Sequence, residues 1–275
     1  MARSQQCLSE HQIARRIKEG RGQGSGKKYI PWLYVQDVPS EGRSHRVYSH
    51  KTCRIHHLLS DLELAVFLVF EWAPHISDIR EQFPLKRDET QEIAKTNGLR
   101  HPSIRGVDQV MSSDFLVDST ANSRRQFVVQ VKSSESLNDA KIIEKLEIER
   151  RYWLSKQIPW FLVTEQEIDP VIKQNISWMY PTKSEGLIDI DLIKQLPILE
   201  NAFHKSPNSK VIDICKQMDT AYDLDLGQTL RDVRTLIANG YLKFDIHQFY
   251  RTLVAADLVF CPMSDMEDLL YVANQ

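Results

Sequence analysis

The chain has 275 residues, 42% hydrophobic and 26% charged, with a formal net charge of −2. That length suits one large domain or two ordinary ones, and no stretch is long and polar enough to read as a disordered tail. No run approaches the ~18 apolar residues of a membrane-spanning helix. The first residues show no secretory apolar core, and Cys7, Cys53, Cys215 and Cys261 form no CxxC pair. A soluble protein in a reducing, cytoplasmic setting is expected, with no membrane partner.

The small net charge hides an asymmetry. Residues 1–60 hold eleven Lys/Arg against four Asp/Glu, residues 61–167 fourteen against eighteen, and residues 168–275 ten against fifteen. A basic head on an acidic chain points to one region suited to a polyanion. That head also carries Gly20, Gly22, Gly24 and Gly26 with Tyr29, Trp32 and Tyr34. Flexible, basic and aromatic together, the stretch 15–54 is expected to grip a phosphate backbone rather than merely to be solvated. GRGQGSGKK is not a nucleotide loop, because no strand precedes it, the glycine spacing is wrong and no Ser/Thr follows the lysine.

In chain order, residues 9–19 read as a short helix opened by Ser9 and ended at Gly20. SDLELAVFLVFEW, from Ser60, has helical apolar spacing and is stopped by Pro74. Residues 79–85 suit a strand. A polar segment without an element of its own runs to RHPSIRG, and GVDQVMSSDFLVD then reads as a strand interrupted by small polar residues. RRQFVVQVKS (124–133) alternates, with Phe127, Val129 and Val131 expected inward and Gln126, Val128, Gln130 and Lys132 on the other face. Residues 138–156 form a charged helix with a Glu147–Arg151 pair, and 158–164 a short buried strand. Three antiparallel strands, a crossover helix and one more strand make a mixed α/β sandwich. From residue 168 onward three helices are expected, at 187–203, 209–222 and 226–239. The strands YLKFDI and ADLVFCP follow, in the outline of a winged helix. The domains are thus expected at 1–167 and 168–275.

Gln130 and Lys132 point the same way along their strand, and Asp114 reaches the same spot if its strand pairs as a hairpin neighbour. A carboxylate, an amide oxygen and an ammonium together suit metal-assisted phosphodiester hydrolysis. By spacing alone, a wet polar strand face explains them equally well. Glu63 is the second acidic candidate, although Ser60-x-x-Glu63 is also a capping box in which Glu63 would reach the Ser60 amide. Asp61 is the weaker choice. His50, Cys53, His56 and His57 are zinc-ligand types, but four ligands within eight residues wrap poorly around a tetrahedral ion. Asp118 is expected in a turn. Glu144 and Glu149 are expected as solvated partners of Lys and Arg, with Glu149 able to stand behind the site.

Several stretches resemble the TnsA family, the strand-cleaving subunits of heteromeric cut-and-paste transposases. They are QIARRIKEGRGQG, YSHKTCRIHHLLSDLELAVF, IRGVDQVMSSDFLVD, QFVVQVK, EKLEIERRYW and TAYDLDLGQTLRDVRTLIANGYLKF, and the likeness runs from about Gln12 to Ala273. The resemblance implies a restriction-endonuclease-like sandwich with a C-terminal, all-α winged-helix domain. It implies an active site of Glu63, Asp114, Gln130 and Lys132. One or two Mg²⁺ ions would be held by Glu63, Asp114, Gln130 and Val131, with Mn²⁺ able to substitute. It further implies cutting of the 5′ strands at transposon ends, beside a partner transposase that joins the 3′ ends. An AAA+ ATPase regulator would meet the C-terminal domain, whose acidic balance suits protein more than DNA. Gln130, where an acid is usual, removes a charge worth roughly 4 kcal/mol at ~4 Å and dielectric ~20, so metal should bind weakly until DNA arrives. Two alternatives stand beside this: a stand-alone restriction or junction-resolving nuclease, active without partners, and a non-catalytic scaffold binding DNA or an ATPase, indifferent to loss of Asp114.

Overall fold

The computed structural model describes residues 8–38, 43–121, 125–184 and 190–260. The contacts divide the chain into two units, Met1–Ile168 and Asp169–Gln275.

The first unit is built on a four-stranded sheet in the order β3-β6-β7-β8. Its strands are β3 (Ile76–Pro84), β6 (Ser112–Ser119), β7 (Gln126–Val131) and β8 (Trp160–Val163). β3/β6 and β6/β7 are antiparallel and β7/β8 is parallel. The expected meander, crossover and fourth strand are therefore present. A parallel neighbour needs a long connection, which α4 (Ala140–Ser155) supplies, capped by the Asp139 side chain. On one face, Phe70 of α2 (Asp61–Trp72) lies 5.7 Å from Phe115 and 5.9 Å from Phe127. On the other, Leu116 and Val128 join Ile148, Tyr152 and Trp153 of α4. β7 is thus buried on both sides, and Val128 lies in the core rather than on a wet face. Central strands between two helical layers lose the in–out alternation.

Several elements of this unit stand where the sequence suggests none. α3 (Arg87–Thr96) occupies the polar segment, burying little beyond Thr90 and Ala94. An antiparallel hairpin of β1 (His45–Ser49) and β2 (Arg54–Leu58) pairs Val47 with His56. The single long strand expected over 106–118 instead divides into β5 (Val107–Asp108), paired with β4 (Ser103–Ile104), and β6.

At the N-terminal end, α1 (Glu10–Lys18) carries the capping box of Ser9 and Gln12. The glycine loop after it folds back on itself: Gly22 N–H donates to the Ile30 carbonyl at 2.6 Å and Ile30 N–H to Gln23 at 3.1 Å. At Gly22 φ is +81°, and a Cβ would stand 2.1 Å from Pro84 Cγ, so no side chain fits there. Tyr29 and Trp32 are buried, so they are core residues and not part of the surface expected to grip a phosphate backbone. Arg16 and Arg21 bind Asp37, and Arg54 binds Glu81. The basic balance is therefore partly spent internally; Arg15, Lys18, Lys27, Lys28, Arg43 and Arg46 remain on the surface.

In the second unit the described residues form α5 (Pro170–Ser184), α6 (Ile190–Lys194), α7 (Leu196–Lys205), α8 (Val211–Ala221) and α9 (Gln228–Ala238). α5 was not expected, and the helix expected over 187–203 is two. The two expected strands shrink to β9 (Leu242–Lys243) and β10 (Val259–Phe260), antiparallel. Asn175 of α5 is buried. Its side chain donates to the carbonyls of Ile246 and Gln248 and accepts from Tyr250 N–H, pinning the segment between the strands. Cys7, Arg124, Cys261 and Pro262 lie outside the described residues. Among those described, no helix is long and apolar enough to cross a membrane.

Candidate functional site

The register Phe115↔Val129 sets Asp114 beside Gln130, one step toward the end of β7. Asp114 is 6% exposed and Gln130 5%. Asp114 N–H donates to Gln130 Oε1 at 2.9 Å. Asp114 Oδ2 accepts Val131 N–H at 2.8 Å and Lys132 Nζ at 3.3 Å. The same ammonium donates to the Val131 carbonyl at 2.8 Å. Lys132 is held by its own N–H on the Val163 carbonyl, and its side chain is 30% exposed. The amide oxygen expected to face a metal is thus engaged with backbone, and Gln130 here fixes Asp114 in place.

Glu63 lies in the first turn of α2, where an acid suits the helix dipole. Its N–H donates to Ser60 Oγ at 3.1 Å, as a cap should. Its carboxylate, however, accepts Leu59 N–H at 2.9 Å and the Ser60 hydroxyl at 3.0 Å, not the Ser60 amide. One group joins it to the sheet. Gln82 Nε2 stands 3.3 Å from Glu63 Oε2 and 3.3 Å from Asp114 Oδ1. Glu63, Asp114, Gln130, Val131 and Lys132 therefore meet at one place.

Gln82 had no signal in the sequence. Its φ of +48° is a conformation that costs a non-glycine residue roughly 1–3 kcal/mol and that only the surrounding fold can impose. Glu149 is not a solvated partner of Lys or Arg. It is buried, accepting the Ser113 hydroxyl at 2.6 Å and Trp160 Nε1 at 3.0 Å. Glu144 does pair at the surface with Arg100, at 2.8 Å. Asp118 is a strand residue, paired with Arg80 and accepting from Gln126, rather than a turn residue. Asp61 is exposed and bonds His45 at 2.8 Å. His56 is buried between Glu81 (2.9 Å) and Thr52 (2.7 Å). Among the described residues no three or more His, Cys, Asp or Glu gather as a metal-holding group.

The carboxylates are electrostatically tense. Burial, and then the charge of Asp114, pushes Glu63 up to about 7. Burial pushes Glu149 up to about 7 as well, against the opposing Ser113 and Trp160 hydrogen bonds. A carboxyl raised in the folded state stabilises fully below its ordinary value and loses that contribution as pH rises through about 7. His57 and His101, lowered by burial, act in the opposite sense, so a difference between variants isolates the effect. The melting temperature of Glu149→Gln relative to the parent chain should climb between pH 5.5 and 8.5. A difference that stays flat across that range contradicts the assignment.

These groups suit a hard dication. Two carboxylates and the Val131 carbonyl are the oxygen donors that Mg²⁺ takes, with water and phosphate completing the shell. The Lys132 ammonium already bridges Asp114 Oδ2 and the Val131 carbonyl, so both oxygens accept positive charge at a common point.

Residues 73–165 match the family described as TnsA-like endonuclease N terminal, and residues 167–246 match TnsA endonuclease C terminal. The first match contains Asp114, Gln130 and Lys132 and begins after Glu63. Over 274 residues, covering 100% of both chains, the chain is 56% identical to the Transposon Tn7 transposition protein TnsA of Escherichia coli.

Proposed function

We propose, from the premise that the chain belongs to the TnsA family of transposition endonucleases, that it hydrolyses the 5′ strands at transposon ends with Mg²⁺ held by Asp114, Glu63 and the Val131 carbonyl. The observation that carries this is the Asp114 carboxylate, which meets Lys132 and the Val131 amide at one oxygen and is tied through Gln82 to Glu63 at the other. One or two ions would serve, and Mn²⁺ would substitute. Such an ion, when bound, makes a bound water more acidic and offsets charge on the phosphate.

The chain's own groups do the rest. Gln130 and the Val131 amide fix Asp114. Lys132, reaching partly into solvent, donates to a non-bridging phosphate oxygen and lowers the cost of the charge that grows there. A water oxygen bonds to phosphorus and the bond to the bridging sugar oxygen breaks. The attacking water gives up a proton to solvent and the leaving sugar oxygen takes one from solvent, so the products are a phosphomonoester and a hydroxyl. The six exposed cations of residues 15–46 contact the DNA backbone.

The second unit is assigned to docking, as a winged helix that meets an AAA+ ATPase regulator. Its acidic balance and the exposed Tyr222, Leu224 and Leu226 favour protein over phosphate as its partner. A separate partner transposase processes the 3′ ends. The test is cleavage of strand-labelled transposon-end DNA with Mg²⁺, partner transposase and regulator present. New ends on the 5′ strand are expected, lost with Lys132→Ala; cuts confined to the 3′ strand, or none, would overturn the proposal.

A further inference from the structure

Gln82 touches both acidic side chains of the site, and no step of the hydrolysis above gives it a role of its own. It is 2% exposed. Its amide oxygen accepts the Ser112 hydroxyl at 3.1 Å, which sets the amide nitrogen toward Glu63 and Asp114. Its carbonyl accepts Trp32 N–H at 3.2 Å, and its backbone sits at φ +48°. Held at the carbonyl and at the side-chain tip, the carboxamide is a fixed part of the site.

Two buried carboxylates of like charge repel, and without a shared donor they separate or one takes a proton. A single NH₂ placed between them gives each a hydrogen bond and keeps their inner oxygens within reach of one point. Buried polar groups that orient metal-binding side chains govern affinity even when they do not touch the ion.

We propose that Gln82 is a positioning residue whose carboxamide clamps Glu63 to Asp114 and thereby sets the affinity of the pair for a divalent cation. This rests on the assignment of the pair as a metal centre, and the test separates the two. A purely structural Gln82 would affect melting and leave cation affinity alone.

The experiment is calorimetric titration of Mn²⁺ into the metal-free full chain, with the melting temperature of each variant measured alongside. The parent chain should show a site that disappears in Asp114→Ala. Gln82→Met keeps the side-chain length and removes the donor. It should weaken Mn²⁺ roughly tenfold or more while melting close to the parent. Ser112→Ala leaves Gln82 in place but frees its amide to turn, and should weaken Mn²⁺ by a smaller factor. Should Gln82→Met fail to fold, Ser112→Ala decides the matter. Parental affinity in the folded variants overturns the role of Gln82 and leaves the metal centre standing. Absence of Asp114-dependent binding in the parent chain overturns both.

Discussion

Asp114→Asn should lose strand cleavage by roughly 10²–10³-fold or more while the chain remains folded. The asparagine oxygen can still accept Val131 N–H, which Asp114 takes at 2.8 Å, so the end of the sheet keeps its register. What disappears is the charge that draws Lys132 to 3.3 Å and that a dication would require. No other described acid replaces it: Glu63 is on a different element, and Glu149 is engaged by Ser113 and Trp160. Nicking rates on end-containing DNA, with far-ultraviolet circular dichroism and melting of the same preparation, give the answer. A folded asparagine variant that cuts at the parental rate would remove Asp114 from the chemistry.

Arg54→Ala should cause the largest loss of stability, about 3–5 kcal/mol. Glu81 is fully buried and takes Arg54 Nη1 at 2.8 Å, His56 Nδ1 at 2.9 Å and His57 N–H at 3.1 Å. Arg54 also donates to the Ile79 carbonyl at 2.8 Å and lies 5.0 Å over the Tyr29 ring. Without the guanidinium, a buried carboxylate is left with only the His56 and His57 contacts, and the hairpin's tie to β3 is weakened. Burial alone would raise Glu81, but His56 and Arg54 overcome it and hold the carboxyl well below its ordinary value. A depressed carboxyl contributes stability above its unfolded pKa and loses it as pH falls, so Glu81 sharpens acid unfolding below about pH 4.5. Urea denaturation at neutral pH measures the mutational loss. A change under about 1 kcal/mol would mean that the pair contributes little. Because Glu81 precedes Gln82, the damage should extend to the site.

The parts of this site visible in the sequence are those fixed by local periodicity. Alternation over 126–131 put Gln130 and Lys132 on one side, and a hairpin partner was enough to bring Asp114 to them. Ser60 and the apolar run after it located α2 and hence Glu63. What was hidden depends on residues far along the chain. The hairpin sequences HRVYS and RIHHL look like solvated surface, and only Glu81, more than twenty residues on, shows why Arg54 and His56 are interior. α3 carries almost no apolar stripe and packs through α4. Glu149 sits among Lys and Arg on its own helix, yet its partners Ser113 and Trp160 are on two strands. Tyr29 and Trp32 follow a glycine-rich run that suggests an open arm, whereas the run folds against Pro84. The left-handed backbone of Gln82 leaves no mark in QFP at all.

The claim on which the rest stands is that a cation sits where Asp114, Glu63 and the Val131 carbonyl meet. Anomalous diffraction from crystals of the full chain soaked in Mn²⁺ tests it without recourse to activity. A peak in contact with Asp114 and the Val131 carbonyl oxygen, with the Lys132 ammonium displaced from both, is the expected result. Mn²⁺ bound elsewhere in the first unit, with Lys132 still bridging those two oxygens, would contradict it.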